Sequence, residues 1–93
     1  MTTLATRMRA LGDLESFDVE VIDKNGQVVD AKTTGFAKFD FEKRATGSTT
    51  VNDWKERRFK KTYPGYDCRV LQADGTVAHG NTKLETVRGT YEE

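Results

Sequence analysis

Apolar and polar residues alternate in two segments that each contain an Asn-Gly or Asp-Gly pair, a pattern typical of a β-hairpin. Residues 17–33 read FDVEVIDKNGQVVDAKT, and residues 66–82 read YDCRVLQADGTVAHGNT. An offset of 49 residues aligns five identical positions out of 17, among them Gly26 with Gly75. A helix-like segment precedes each hairpin, so the pattern indicates an αββ unit used twice.

The apolar faces of the first hairpin match when its loop has three residues. A loop at residues 24–26 pairs Val21 with Val29, whereas a two-residue loop would place Val21 opposite Asp30. Because a one-residue slip turns a whole strand over, we predict the three-residue loop for both hairpins. Each hairpin then carries two apolar residues on its outer face, and together they form the outer-face apolar set. These residues are Ile22 and Val28 in the first hairpin and Leu71 and Val77 in the second.

Apolar residues at helical spacing predict three helices, at residues 3–11, 51–62 and 82–88. Gly12 is expected to end the first helix, and Thr82 with Glu85 has the form of a capping box for the last. Apolar and polar residues alternate strictly over residues 37–42, and residues 36–42 predict a third strand that extends the first hairpin. We therefore expect one α+β domain over residues 1–93, in the order αβββαββα, with helices on one face of an antiparallel sheet.

Composition narrows the class of protein. Fifteen basic and fifteen acidic side chains cancel, which argues against a dedicated polyanion binder. No apolar run approaches the roughly 18 residues of a membrane span, and residues 1–12 lack the apolar core of a signal peptide. The single Cys68 cannot form an internal disulfide, which favours a reducing compartment. The cytoplasm is the expected location.

The sequence offers little catalytic chemistry. His79 is expected on the outward face of the second hairpin opposite Arg69, and Cys68 alternates with residues assigned to the core. One cysteine and one histidine cannot complete a tetrahedral zinc site, and the carboxylates of the first hairpin lack the spacing of a calcium loop. We therefore expect a protein without enzymatic activity, metal or cofactor.

The helix predicted at residues 51–62 carries the strongest functional signal. Val51, Trp54 and Phe59 give it an apolar stripe, but basic residues surround the helix instead of forming one solvated face. We expect it to lie at the edge of the fold and to dock on a protein or ribonucleoprotein partner, with the outer-face apolar set as a second contact. The residues expected at the interface are Trp54, Lys55, Arg57, Arg58, Lys60 and Lys61.

Three alternatives stay open at this level. The same basic helix could bind nucleic acid, assisted by Lys43 and Arg44, although the chain contains no helix-turn-helix, zinc-finger or ribonucleoprotein motif. Edge strands of the hairpins could pair between two copies and form a homodimer. The basic side chains could also be a solvated face with no partner.

Overall fold

The structure is a computed structural model that describes residues 2–92. It contains helix α1 (Leu4–Glu15), strand β1 (Asp18–Ile22), helix α2, strand β2 (Asp67–Leu71) and helix α3 (Leu84–Gly89). Helix α2 is continuous and has three parts: Val51–Trp54, the π-helical turn Lys55–Phe59, and Lys60–Thr62. The predicted α+β class is confirmed. No helix among residues 2–92 is both long and apolar enough to cross a membrane.

Strands β1 and β2 pair antiparallel in a two-stranded sheet, so the two segments that align at an offset of 49 residues meet along their strands. Glu20 lies opposite Arg69 at the middle of the five paired positions. Arg69 is also the counterpart of Glu20 in the 49-residue repeat. A local twofold axis therefore passes between these two residues and relates strand β1 to strand β2.

The predicted register is found next to the turn of each hairpin. The Val29 N–H donates to the Val21 carbonyl at 2.9 Å, and the Ala78 N–H donates to the Val70 carbonyl at 2.8 Å. We call the segments that follow the two turns the return arms, residues 27–33 and 76–82. Each arm makes one isolated bridge to its strand, Ile22 with Val28 and Leu71 with Val77. The arms lie on the two outer edges of the sheet, because β1 and β2 face each other on the inner edges.

Each return arm leaves the sheet after one bridge because its carbonyl groups cap a helix. The Leu4 and Ala5 N–H groups at the start of α1 donate to the carbonyls of Thr33 and Ala31, at 2.7 and 2.9 Å. The second repeat forms the same bonds from Val51 to Thr82 and from Asn52 to Gly80, at 2.9 and 3.0 Å. The first N–H groups of a helix have no partner within the helix, so the arms satisfy them. The longer hairpin ladders expected from the sequence are not formed.

Gly80 lies directly against α2, since a Cβ atom at this position would come within 2.4 Å of the Asn52 Oδ1 atom. We expect Gly80→Ala to lower the free energy of unfolding by about 1 kcal/mol, because Asn52 must leave its position over the arm. Urea unfolding followed by circular dichroism measures this. Adding Asn52→Ala should recover most of the loss. A loss that persists in the double variant would contradict the packing described here.

The third strand predicted at residues 36–42 is not confirmed, because this segment forms no strand in the described structure. Its aromatic residues pack along α2 instead: the Phe39 ring lies 6.2 Å from the Trp54 ring, and the Phe36 ring lies 5.8 Å from the Tyr63 ring. The return arms already occupy the outer edges of the sheet next to the turns. The alternation in this segment therefore reflects aromatic packing against a helix.

Helix α1 continues past Gly12 to Glu15, so its predicted end at residue 11 is wrong. The helix ends at Ser16, which has a left-handed conformation (φ 67°) and donates its N–H to the Gly12 carbonyl at 2.8 Å. A Cβ atom at Gly12 would lie 3.2 Å from the Phe17 carbonyl oxygen. Glycine at position 12 allows the main chain of Phe17 to pack closely against the helix, and it does not end the helix.

The predicted capping box of the last helix is also wrong. Helix α3 begins at Leu84 after Lys83, and no side chain caps it. The carbonyl of Thr49 accepts the Leu84 N–H at 2.8 Å, and the carbonyl of Gly47 accepts the Glu85 N–H at 3.0 Å. The segment before α2 therefore caps α3 with its main chain.

The π-helical turn in α2 decides which side chains enter the core. Its Lys60 N–H donates to the Lys55 carbonyl, five residues earlier. Residues five apart lie about 140° apart around an ordinary α-helix, whereas the wider π turn brings them toward one face. Trp54 and Phe59 are accordingly both 0% exposed, with ring centroids 6.1 Å apart.

Candidate interaction surface

Trp54 lies at the centre of the core and does not form a surface. Its side chain is 0% exposed, and the Phe17 ring meets it edge-on at a centroid distance of 5.0 Å. The prediction that Trp54 contacts a partner is therefore wrong in this structure. The π turn explains the error, because the angular positions of an ordinary helix place Trp54 beside charged residues at the edge of the fold.

Arg58 also belongs to the interior contacts of the protein. Its Nη1 atom donates to the Glu15 Oε2 atom at 2.8 Å and to the Lys43 carbonyl at 2.6 Å. Its guanidinium group lies 4.4 Å from the centre of the Phe41 ring. About 20% of the side chain is exposed, so Arg58 offers little of its charge to a partner.

Glu15 is fully buried and holds two arginines, and we call Glu15, Arg58 and Arg88 the buried ion cluster. Arg88 Nη2 donates to Glu15 Oε1 at 3.0 Å, and its other nitrogens donate to the carbonyls of Glu15 and Ala45 at 2.6 and 2.7 Å. Burial lowers the pKa of Arg88, and the Glu15 carboxylate opposes this by raising it. The cluster joins α1, α2, α3 and the loop before α2 in one charged contact.

Sequence reasoning missed the buried ion cluster, although a signal was present. Glu15 continues the helical spacing of Leu4, Met8 and Leu11, which places a carboxylate on the apolar face of α1. A buried carboxylate requires a paired cation. Because the helix was predicted to end at residue 11, Glu15 was not recognised as part of its apolar face.

The remaining basic side chains of α2 are partly neutralised. Lys60 donates to Glu56 at 2.9 Å, and this hydrogen bond raises the pKa of Lys60. Lys55 lies 3.9 Å from an Asp67 carboxylate oxygen. Arg57 and Lys61 are exposed and form no ion pair with any of residues 2–92. The positive surface expected from the sequence is thus reduced to two unpaired cations.

A second surface lies on the outer side of the sheet, and we call it the hairpin face. Val28 and Val77 are each 54% exposed there and are the two exposed large apolar side chains among residues 2–92. Between them, at the twofold axis, the Arg69 Nη1 atom lies 3.1 Å from the Glu20 Oε1 atom. Its exposed and half-buried members are Glu20, Val28, Arg69, Leu71 and Val77, and Ile22 on the same side of the sheet is only 8% exposed.

Cys68 and His79 do not combine into a reactive site. Cys68 is 1% exposed, and burial raises the pKa of its thiol to about 12, so the thiol is neutral at pH 7. His79 is exposed, and its Nδ1 atom accepts the Asn81 N–H at 3.2 Å. Within residues 2–92, no three histidine, cysteine or carboxylate side chains are grouped as metal ligands.

No family model, curated protein or solved structure matches this chain. The candidates for a functional surface are therefore the hairpin face and the exposed cations of α2. They differ in chemistry, because the hairpin face is apolar with a central ion pair and the helix surface is cationic.

Proposed function

We propose that this protein is a non-enzymatic interaction module that binds a protein partner through the hairpin face. The observation that carries the proposal is the exposure of Val28 and Val77, at 54% each, at positions related by the twofold axis. Both valines lie on the side of the sheet opposite Val21 and Val70, which belong to the core. The proposed module acts in the cytoplasm, where its single cysteine stays reduced.

The hairpin face has the chemistry of a binding surface. Complete burial of a fully exposed valine contributes roughly 1.5 kcal/mol, so covering two valines that are each 54% exposed contributes roughly 1.5–2 kcal/mol of the about 8 kcal/mol of a micromolar affinity. Exposed apolar groups rimmed by polar residues are typical of protein contacts. The Glu20–Arg69 pair at the centre adds polar groups that a partner can match.

A test compares three forms of the protein in affinity capture from the source cells, followed by mass spectrometry. We expect Val28→Ser with Val77→Ser to reduce recovery of the bound partner at least tenfold, because the apolar contact is lost. The free energy of unfolding should change by less than about 1 kcal/mol, because both side chains are exposed. The matched control, Arg57→Ser with Lys61→Ser, should retain the partner.

Equal recovery by the valine variant and the unsubstituted protein would contradict the proposal. Loss of recovery in the Arg57 and Lys61 control alone would favour the helix surface. A parallel sample treated with nuclease separates a protein partner from a ribonucleoprotein, because only the second is released.

Nucleic-acid binding is the second candidate function. Arg57 and Lys61 are the observation in its favour, since both are exposed on α2 without an ion pair among the described residues. Arg58 contacts the carbonyl of Lys43, which places another basic segment beside the helix. Two or three phosphate contacts of this kind give weak, strongly salt-dependent binding.

A further inference from the structure

An apolar cleft of about 270 Å³ opens between α1 and the first hairpin. Ala5 and Met8 line it from α1, Val19 lines it from β1, and Ala31 lines it from the return arm. Glu20 is the single charged residue of the lining. Val28 and Leu71 also border the cleft, so it is continuous with the hairpin face.

The second repeat shows the same site in a closed form. The counterparts of Ala5 and Ala31 are Asn52 and Gly80, and the Asn52 side chain lies over Gly80 so closely that a Cβ atom there would come within 2.4 Å of it. The counterpart of Val19 is Cys68, which is 1% exposed, whereas Val19 is half-buried. The open cleft is therefore present beside the first hairpin, whereas the equivalent position beside the second hairpin is filled by side chains.

The main chain beside the cleft is also open. The carbonyl of Val21 accepts a hydrogen bond from the return arm, and peptide groups two residues apart on a strand point to the same side. The arm turns away through a bond from the Thr33 N–H to the Asp30 carbonyl, at 3.0 Å. Among residues 2–92, Val19 has no hydrogen-bond partner on this edge, whereas the Cys68 N–H donates to the Asp67 Oδ1 atom at 2.7 Å.

We propose that this cleft binds an extended peptide segment of the protein partner by strand addition along Val19. One aliphatic side chain of the peptide enters the cleft, and an adjacent basic side chain pairs with Glu20. Alternate side chains of a strand point to opposite faces, so the partner segment carries aliphatic and basic residues in alternation. The hydrogen bond from Arg69 uses only the Oε1 atom of Glu20, and the exposed Asp18 adds negative charge nearby. The proposal rests on the proposed function, because the cleft borders the hairpin face.

The probe is an acetylated and amidated heptapeptide in which lysine and valine alternate around a central leucine, titrated into the ¹⁵N-labelled full chain. We expect shifts of the Ala5, Val19 and Glu20 amide signals and slower hydrogen exchange of the Val19 amide. Ala5→Leu fills the cleft from an exposed helical position that tolerates leucine, and it should weaken binding at least tenfold. Glu20→Gln should weaken it about two- to fivefold at low salt.

Two controls keep the result specific. Arg57→Ser on the exposed side of α2 does not touch the lining of the cleft and should leave peptide binding unchanged. A peptide with aspartate in place of the central leucine should bind at least tenfold more weakly. Equal affinity for Ala5→Leu, shifts centred away from the cleft, or no shift at millimolar peptide would overturn the strand-addition site.

The two proposals fail in different ways. If Ala5→Leu still retains the captured partner and Val28→Ser with Val77→Ser does not, the hairpin face binds and the cleft does not. If the peptide binds the cleft but the valine variant captures the partner as well as the unsubstituted protein, the proposed function fails and the cleft stands as a peptide site.

Discussion

Replacing Trp54 with alanine is expected to lower the free energy of unfolding by about 3–5 kcal/mol. The side chain is fully buried and contacts the rings of Phe17, Phe39 and Phe59, so its removal leaves a large cavity. A domain of this size has a stability of roughly 5–10 kcal/mol, so the variant should be only marginally folded. Urea unfolding followed by circular dichroism measures the change. Tryptophan fluorescence cannot be used, because Trp54 is the sole tryptophan and the variant lacks it.

Two control variants separate a core residue from a surface residue. Trp54→Phe should cost much less, because it keeps an aromatic ring and removes a buried Nε1 donor that has no hydrogen-bond partner among residues 2–92. Arg57→Ala on the exposed side of α2 should change the free energy by less than about 0.5 kcal/mol. If Trp54→Ala were as mild as Arg57→Ala, Trp54 would lie outside the core and would be free to meet a partner.

Replacing Glu15 with glutamine is expected to lower the free energy of unfolding by about 3 kcal/mol or more. The substitution preserves the shape of the side chain but leaves Arg58 and Arg88 without their shared carboxylate in a buried site. An unpaired buried charge costs far more than an exposed ion pair contributes. Thermal and urea unfolding at neutral pH both measure the difference.

Glu56→Gln is the matched control for Glu15→Gln. Glu56 pairs with Lys60 on the surface, where its side chain is 67% exposed, so its loss should change the free energy by less than about 0.5 kcal/mol. Similar effects of the two substitutions would show that the buried ion cluster does not hold the helices together.

The sequence pattern correctly predicted the elements that are determined by interactions between residues close together in the chain. The apolar alternation around Val21 and Val29 fixed the hairpin register, and α2 was predicted with both of its ends at residues 51 and 62. Tertiary contacts decided the rest. The first return arm, for example, leaves the strand pairing early because the carbonyl of Ala31 accepts the Ala5 N–H at the start of α1.

The interior of α2 could not be predicted from a regular helical period. Its apolar residues Val51, Trp54, Phe59 and Tyr63 are spaced by three, five and four positions, and the five-residue step marks the π turn. The angular spacing of an ordinary α-helix places Trp54 and Phe59 far apart, with basic side chains between them. This spacing predicted an exposed surface at the position where the protein has its core. The candidate site was therefore placed on the wrong residue, whereas the apolar outer pairs Ile22–Val28 and Leu71–Val77 were predicted from alternation alone.

Glu20 and Arg69 lie on the twofold axis, and this position bears on why the two paired strands differ in sequence. Were a single unit to assemble with itself about this axis, the residue at position 20 would face its own identical copy, glutamate against glutamate or arginine against arginine. Like charges directly opposite each other weaken a strand pair, whereas opposite charges strengthen it. Because the two strands belong to one polypeptide and differ at this position, an acid faces a base on the axis, and neither strand can replace the other.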